Sequence, residues 1–183
     1  TADLAFALHK QVAADPTINQ GGPKNSIVSP LNHRNMWLAT AQATGGATRA
    51  EILNAMGFSG DAVSGGQDEQ VAFGQTVRAL QASVTAPNTL RVASSLWVQE
   101  GPQWMPRPET VRFLRDTVDA SVTAVNFQGD PEGARALYNR WGAAATDDMV
   151  REALQKGDVS VDTRLINGSA FLAKASWEEG FAK

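Results

Sequence analysis

Apolar residues in the first part of the chain recur at helical spacing, and beyond Thr89 the pattern switches to alternation. Leu4, Leu8 and Val12, beside Phe6, predict a helix over residues 3–14. Asp15-Pro16 closes it, because the residue before a proline avoids the α region. Ile27 and Val28 read as a short extended run ending at Ser29-Pro30, where serine is a suitable N-cap and proline suits the first helical turn. The helix that follows runs Leu31–Thr44, carries Leu31, Met36, Trp37, Leu38, Ala39, Ala41 and Ala43, and stops at Gly45-Gly46. Thr48 with Glu51 three residues on predicts a capping box opening the next helix, and Gly57 predicts its left-handed close. Val71, Phe73, Val77, Leu80 and Val84 form the stripe of a helix over 69–84.

Strands interleave with helices in the remainder. Leu90, Val92, Ser94, Leu96 and Val98 share one face of a strand over 89–98, and Ala93 and Trp97 share the other. Apolar residues on both faces predict a central strand. A helix over 109–117 follows Pro106 and Pro108, then a strand over 121–127. Asp130-Pro131-Glu132 opens a helix with Ala134, Leu137, Tyr138 and Trp141 on one face. A helical turn over 146–154 ends towards Gly157, and residues 162–175 form the last extended segment. Helices first, then interleaved strands, predict an α+β domain with helices packed on a mainly antiparallel sheet.

Composition narrows the functional classes. The chain has 183 residues, 43% of them apolar and 19% charged, enough for one core. A net charge of −3 with no cluster of Lys and Arg argues against a nucleic-acid surface. No apolar run approaches the roughly 20 residues that span a bilayer. Zero cysteines exclude disulfides and thiolate metal sites and leave the compartment open. The start at Thr1-Ala2-Asp3 is expected of a processed or trimmed product.

No constellation of catalytic residues emerges. His9 and His33 are the only histidines and lack the partners of a zinc site. Ser29 has no Gly-x-Ser-x-Gly elbow around it and reads as an N-cap. Asp147-Asp148 and Glu178-Glu179 are adjacent, so their side chains diverge into solvent rather than forming an acid/base dyad. The glycine pairs lack the Gly-Lys-Ser/Thr ending of a phosphate loop. Asn167-Gly168-Ser169 matches both a glycosylation sequon and a two-residue hairpin signal. The expectation is a non-enzyme without metal or cofactor.

An ordered set of segments nevertheless resembles the serpins. Ser29-Pro30 before a central helix, then Gly45-x-x-Thr48-x-x-Glu51-Ile52 and Gly57-Phe58, is similar to that family's second and third helices. Leu90 to Gln99 resembles the second strand of its large sheet, and Ala120 to Phe127 the strand that follows. Asn139-x-Trp141 with Thr146 resembles the helix crossing that sheet. Thr163-Arg164-Leu165 through Trp177 to Phe181 resembles the third strand and its exit. The resemblance spans nearly the whole chain and places Asn167-Gly168 inside a strand, against the hairpin rule, with no glycan expected on Asn167.

The resemblance implies that residues 1–183 are the N-terminal portion of a single serpin-like domain. It also implies an extracellular inhibitor of a serine or cysteine endopeptidase, with that protease as partner, and neither nucleic acid nor membrane. Such an inhibitor presents a bait loop that is cleaved and then inserts as a strand into a metastable sheet. The reactive bond belongs to the later half of a serpin, so a C-terminal half or second chain is expected. The alternative is a non-inhibitory carrier or chaperone on the same fold. The sheet-opening region implied by the resemblance is Ser29, Pro30, Asn32, Ser169 and Trp177. Three departures stand out. Asn32 takes a position that is usually serine while Ser169 takes one that is usually asparagine, which suggests a reciprocal hydroxyl–amide hydrogen bond. His33, Arg34 and Asn35 are polar for a central helix, and each buried unpaired would cost about 1–3 kcal/mol. Leu172-Ala173-Lys174-Ala175 replaces a bulkier aromatic pattern in the third strand.

Overall fold

A computed structural model describes residues 2–17, 28–58 and 67–177. The helices are α1 (Ala2–Ala14), α2 (Pro30–Gln42), α3 (Gly46–Ala55), α4 (Gln67–Ser83), α5 (Pro108–Val118) and α6 (Pro131–Ala145). The strands are β1 (Thr89–Gln99), β2 (Ala120–Val125) and β3 (Leu165–Lys174), in the order β2-β1-β3. β1 is therefore central, as its two apolar faces require. It pairs parallel with β2, from Ser94 opposite Ala120 to Gln99 opposite Val125. It pairs antiparallel with β3, from Thr89 opposite Lys174 to Val98 opposite Leu165. The sheet is thus mixed, with the longer ladder antiparallel. β2 must be parallel because α5 carries the chain back across the sheet before it begins.

Each face of β1 supports its own core. Val92, Leu96 and Val98 point to a cluster with Leu38 and Ala39 of α2, Leu53 of α3, Phe73 and Val77 of α4, and Leu114 and Val118 of α5. On the opposite face Trp97 packs with Val125, Phe127 and the α6 residues Ala134 and Tyr138, the Trp97 and Tyr138 rings lying edge-on at 5.7 Å. The result is three layers, with α6 alone on one side of the sheet.

Local chemistry explains most boundaries. The Ser29 side chain accepts a hydrogen bond from the Asn32 amide, and Pro30 occupies the first turn of α2. Gly57, at φ 71, closes α3; the Phe58 amide reaches the Leu53 carbonyl and the Gly57 amide reaches Asn54, a Schellman cap. The capping box at Thr48 does not form. α3 starts earlier, with Gly45 as N-cap and no side-chain cap bond, so Thr48 is already inside the first turn. The buried face of α4 is Gln70, Phe73, Gly74 and Val77, while Val71 and Leu80 of the expected stripe are exposed. Gly74 draws that face close to α5: a Cβ there would lie 1.9 Å from the Thr117 carbonyl oxygen. Residues 146–154 form turns, not a helix, with Asp147 and Asp148 in the left-handed region at φ 47 and 61. Val28 is not in a strand, and Ile27, the rest of that expected short strand, lies outside the described residues.

Candidate functional site at the junction of α2 and β3

The polar face of α2 meets two strands at one place. Asn32 and Asn35 stand three residues apart and so share a helix face. Ser94 of β1 sits opposite Ser169 of β3, and both serines turn towards α2. The Ser169 hydroxyl donates to Asn32 Oδ1. It also lies 3.4 Å from the Ser94 hydroxyl, which accepts from Asn35 Nδ2 at 2.8 Å. Asn35, only 1% exposed, is within 3.4 Å of the Val118 carbonyl at the end of α5 as well. One helical turn further, Asn167 Nδ2 donates to the Met36 carbonyl at 2.8 Å and to the Thr40 hydroxyl. Alternation along β3 puts Asn167 and Ser169 on the same face, so the strand is stitched to α2 at two successive positions.

The hydroxyl–amide bond expected from the Asn32 and Ser169 exchange is present. The run of three polar residues is also accounted for, because successive helical residues point in different directions. Asn35 faces the sheet. Arg34 turns to α3 and α4, where its guanidinium lies 3.9 Å from the Phe58 ring centroid and donates to the Gly57 carbonyl at 3.0 Å. His33 stands edge-on to Trp37, and partial burial pushes its pKa down. Two acceptors stay unsatisfied: Asn35 Oδ1 and Asn167 Oδ1 are buried without a hydrogen-bond partner among the described residues. An acceptor left buried in this way costs about 1–3 kcal/mol of desolvation.

The reverse face of the same strands is equally close. Gly168 lies opposite Ser95, and a Cβ there would come within 2.7 Å of both the Ser95 hydroxyl and the Tyr138 hydroxyl of α6. Only glycine lets α6 lie flat across β1 and β3. The Trp97 indole N–H fixes the Ser95 hydroxyl at 2.8 Å. At the Lys174 end, Arg91 donates to the carbonyls of Ala144 and Ala145, and Asp147 bridges Arg91 at 2.8 Å and Lys174 at 2.7 Å. The Lys174 hydrogen bond, followed by that of Arg91, holds the Asp147 carboxyl below its ordinary pKa.

The expected site residues divide. Asn32 and Ser169 meet at the α2–β3 contact, Ser29 caps the same helix through the Asn32 amide with Pro30 in its first turn, and Trp177 lies three residues beyond β3, 76% exposed. Ser94, Asn167 and the Gly168–Tyr138 approach are additional members. Ser94-Ser95 shows in sequence as a polar pair in the middle of an apolar strand, while Asn167-Gly168 carries a hairpin signal that points away from this role. Among the described residues the outer edge of β3 pairs with no strand.

This mixed sheet, backed by α2 and crossed by α6, can be set beside known proteins. The pattern of the family described as Serpin (serine protease inhibitor) matches residues 1–183, and the chain belongs to that family. Serpin-Z6C of Oryza sativa subsp. japonica is 32% identical over 98% of the chain, and the chain spans 43% of that protein. The leukocyte elastase inhibitor of Equus caballus is 29% identical over 91% of the chain and 42% of its own length. The structure of AtSerpin1 from Arabidopsis in its native stressed conformation superposes with a TM-score of 0.77 at 24% identity, covering 98% of this chain and 43% of that one. The chain thus spans less than half the length of the relatives it matches. The fold is the serpin fold, and the family includes inhibitors of proteases alongside members such as ovalbumin.

Proposed function

We propose that residues 1–183 are the N-terminal portion of one serpin-type domain that inhibits a serine or cysteine endopeptidase. Cleavage of a bait loop lets that loop insert as a strand beside β3. The bait loop and its reactive bond lie outside this sequence, and the proposed partners are the target protease and the C-terminal half of the same protein. The carrying observation is the polar seam between β3 and α2, where Ser169 donates to Asn32 and Asn167 donates to the Met36 carbonyl. The inner face of β3 is held to α2 by small polar side chains rather than by interlocked apolar ones. Hydrogen bonds of this size are each worth about 1 kcal/mol net, so β3 can shift on α2 at modest cost. The bond from Ser169 of β3 to Asn32 favours the inhibitory reading over the carrier or chaperone reading, since the polar face of α2 has kept a partner on the strand that would move.

The test uses the full-length protein, incubated with endopeptidases of trypsin-like, chymotrypsin-like, elastase-like and papain-like specificity. A complex with one of them that survives denaturing electrophoresis is the expected result. Loop cleavage by every protease, with each released fully active, overturns the inhibitory reading and leaves the carrier or chaperone.

A further inference from the structure

A cavity of about 720 Å³ opens at the Leu165 end of the sheet, between the end of α2, the start of α3 and the loop leading into α5. Its lining holds three arginines, Arg49, Arg107 and Arg164, against one acid, Glu109. None of the three is in an ion pair among the described residues, although the chain as a whole carries a net charge of −3. Arg49 gives one amino group to Gln42 Oε1 at 3.1 Å, while its Nε is buried with no hydrogen-bond partner among the described residues. Arg164 is bound by the Val161 and Thr163 carbonyls at 2.7 and 2.9 Å, with its guanidinium 5.7 Å from the Trp104 ring centroid. The Arg107 side chain has no hydrogen bond among the described residues.

Two helix starts add to this. α3 and α5 both begin at the cavity, with Gly45 and Arg107 as N-caps, and neither has a side-chain cap. By contrast α2 and α6, which begin elsewhere, are capped by Ser29 and Asp130. Uncapped helix starts leave amide donors and the positive end of the helix dipole open to an anion. Forked guanidinium groups match the paired oxygens of phosphate and carboxylate.

We infer that this cavity binds a small polyanion, one bearing two or more phosphate or carboxylate groups held between Arg49, Arg107 and Arg164. The volume falls within the range of small-ligand pockets. Trp104 offers a flat surface for an apolar part of the ligand. The site is separate from the α2–β3 junction and does not depend on protease inhibition.

Calorimetric titration of the full-length protein with pyrophosphate, and separately with citrate, tests the inference. Saturable binding of at least one is expected, weakening as salt is raised. The tighter of the two identifies phosphate or carboxylate as the preferred oxyanion. Arg107→Gln removes an exposed side chain that holds nothing else among the described residues, and should weaken binding about tenfold, the scale of one charge-assisted hydrogen bond. Arg112→Gln, outside the cavity lining, should leave it unchanged. No saturable binding, because a later segment of the polypeptide fills the cavity or for any other reason, overturns the inference. Equal binding by wild type and Arg107→Gln does so as well.

Discussion

The bond between Ser169 and Asn32 gives the account its sharpest quantitative handle. Ser169→Ala removes the hydroxyl that, among the described residues, donates to Asn32 Oδ1 and leaves that oxygen half-buried. The site is reachable by water, so the loss should stay near the net worth of one hydrogen bond, about 1 kcal/mol, rather than the full desolvation penalty. Asn32→Ser shortens the partner and should cost a similar amount, because a serine at that position ends too far from Ser169 to meet it. Exchanging both residues, Asn32→Ser with Ser169→Asn, restores a hydroxyl on one side and an amide on the other. The double variant should therefore lie closer to wild type than the two single costs predict, by about 0.5–1.5 kcal/mol of coupling. Equilibrium urea unfolding of the full-length protein and the three variants measures this, provided the slope against denaturant is unchanged. Effects that add to within about 0.3–0.5 kcal/mol, the scatter of independent sites, would refute a reciprocal bond between these positions.

Three further outcomes follow from other parts of the fold. Gly74→Ala places a methyl 1.9 Å from the Thr117 carbonyl oxygen, so α4 and α5 must separate, at about 1–3 kcal/mol for overpacking; a thermal melt unchanged from wild type would contradict that contact. His33 has its pKa lowered by burial, so the unfolded chain binds the proton more readily than the folded one. Its contribution to stability is complete above the ordinary histidine range and fades as pH falls through about 6.5. His33→Gln should flatten that stretch of the stability–pH curve, and an identical curve would show His33 to be solvated. Asn167 spends its amide group on Met36 and Thr40 beneath the sheet, so mass spectrometry of protein made in a glycosylating host should find no sugar on this residue.

Local sequence signals match the structure where one residue type meets one backbone need. Ser29-Pro30 starts α2, and Gly57 closes α3 with its left-handed φ. The two-sided pattern of β1 was enough to place it in the centre of the sheet. Where two signals of similar strength compete, tertiary structure or a neighbouring residue decides. Thr48 and Glu51 had the spacing of a capping box, but the glycine pair before them let the helix start sooner. Asn167-Gly168 had the chemistry of a hairpin, yet tertiary contacts on both faces of the sheet hold it extended, Asn167 to α2 and Gly168 beneath Tyr138. Val71 and Leu80 fitted a helical stripe, and only packing against α5 rotated the buried face of α4 to Gln70 and Gly74. The Asn35–Ser94 bond and the arginine-lined cavity join residues far apart in the chain, and no local pattern announces them. The exchange of Asn32 and Ser169 was visible only because the resemblance placed both residues in the same region.

The central claim, a sheet that takes in its own cleaved loop beside β3, is tested most directly by a paired thermal melt. The full-length protein is melted intact, then again after a protease has cut the bait loop once. Under the proposed inhibitory reading, loop insertion would add a strand to the sheet beside β3, so the cleaved form should melt far above the intact one. A cleaved protein that melts at the same temperature as the intact one would contradict the account, because the loop would then have been cut without entering the sheet.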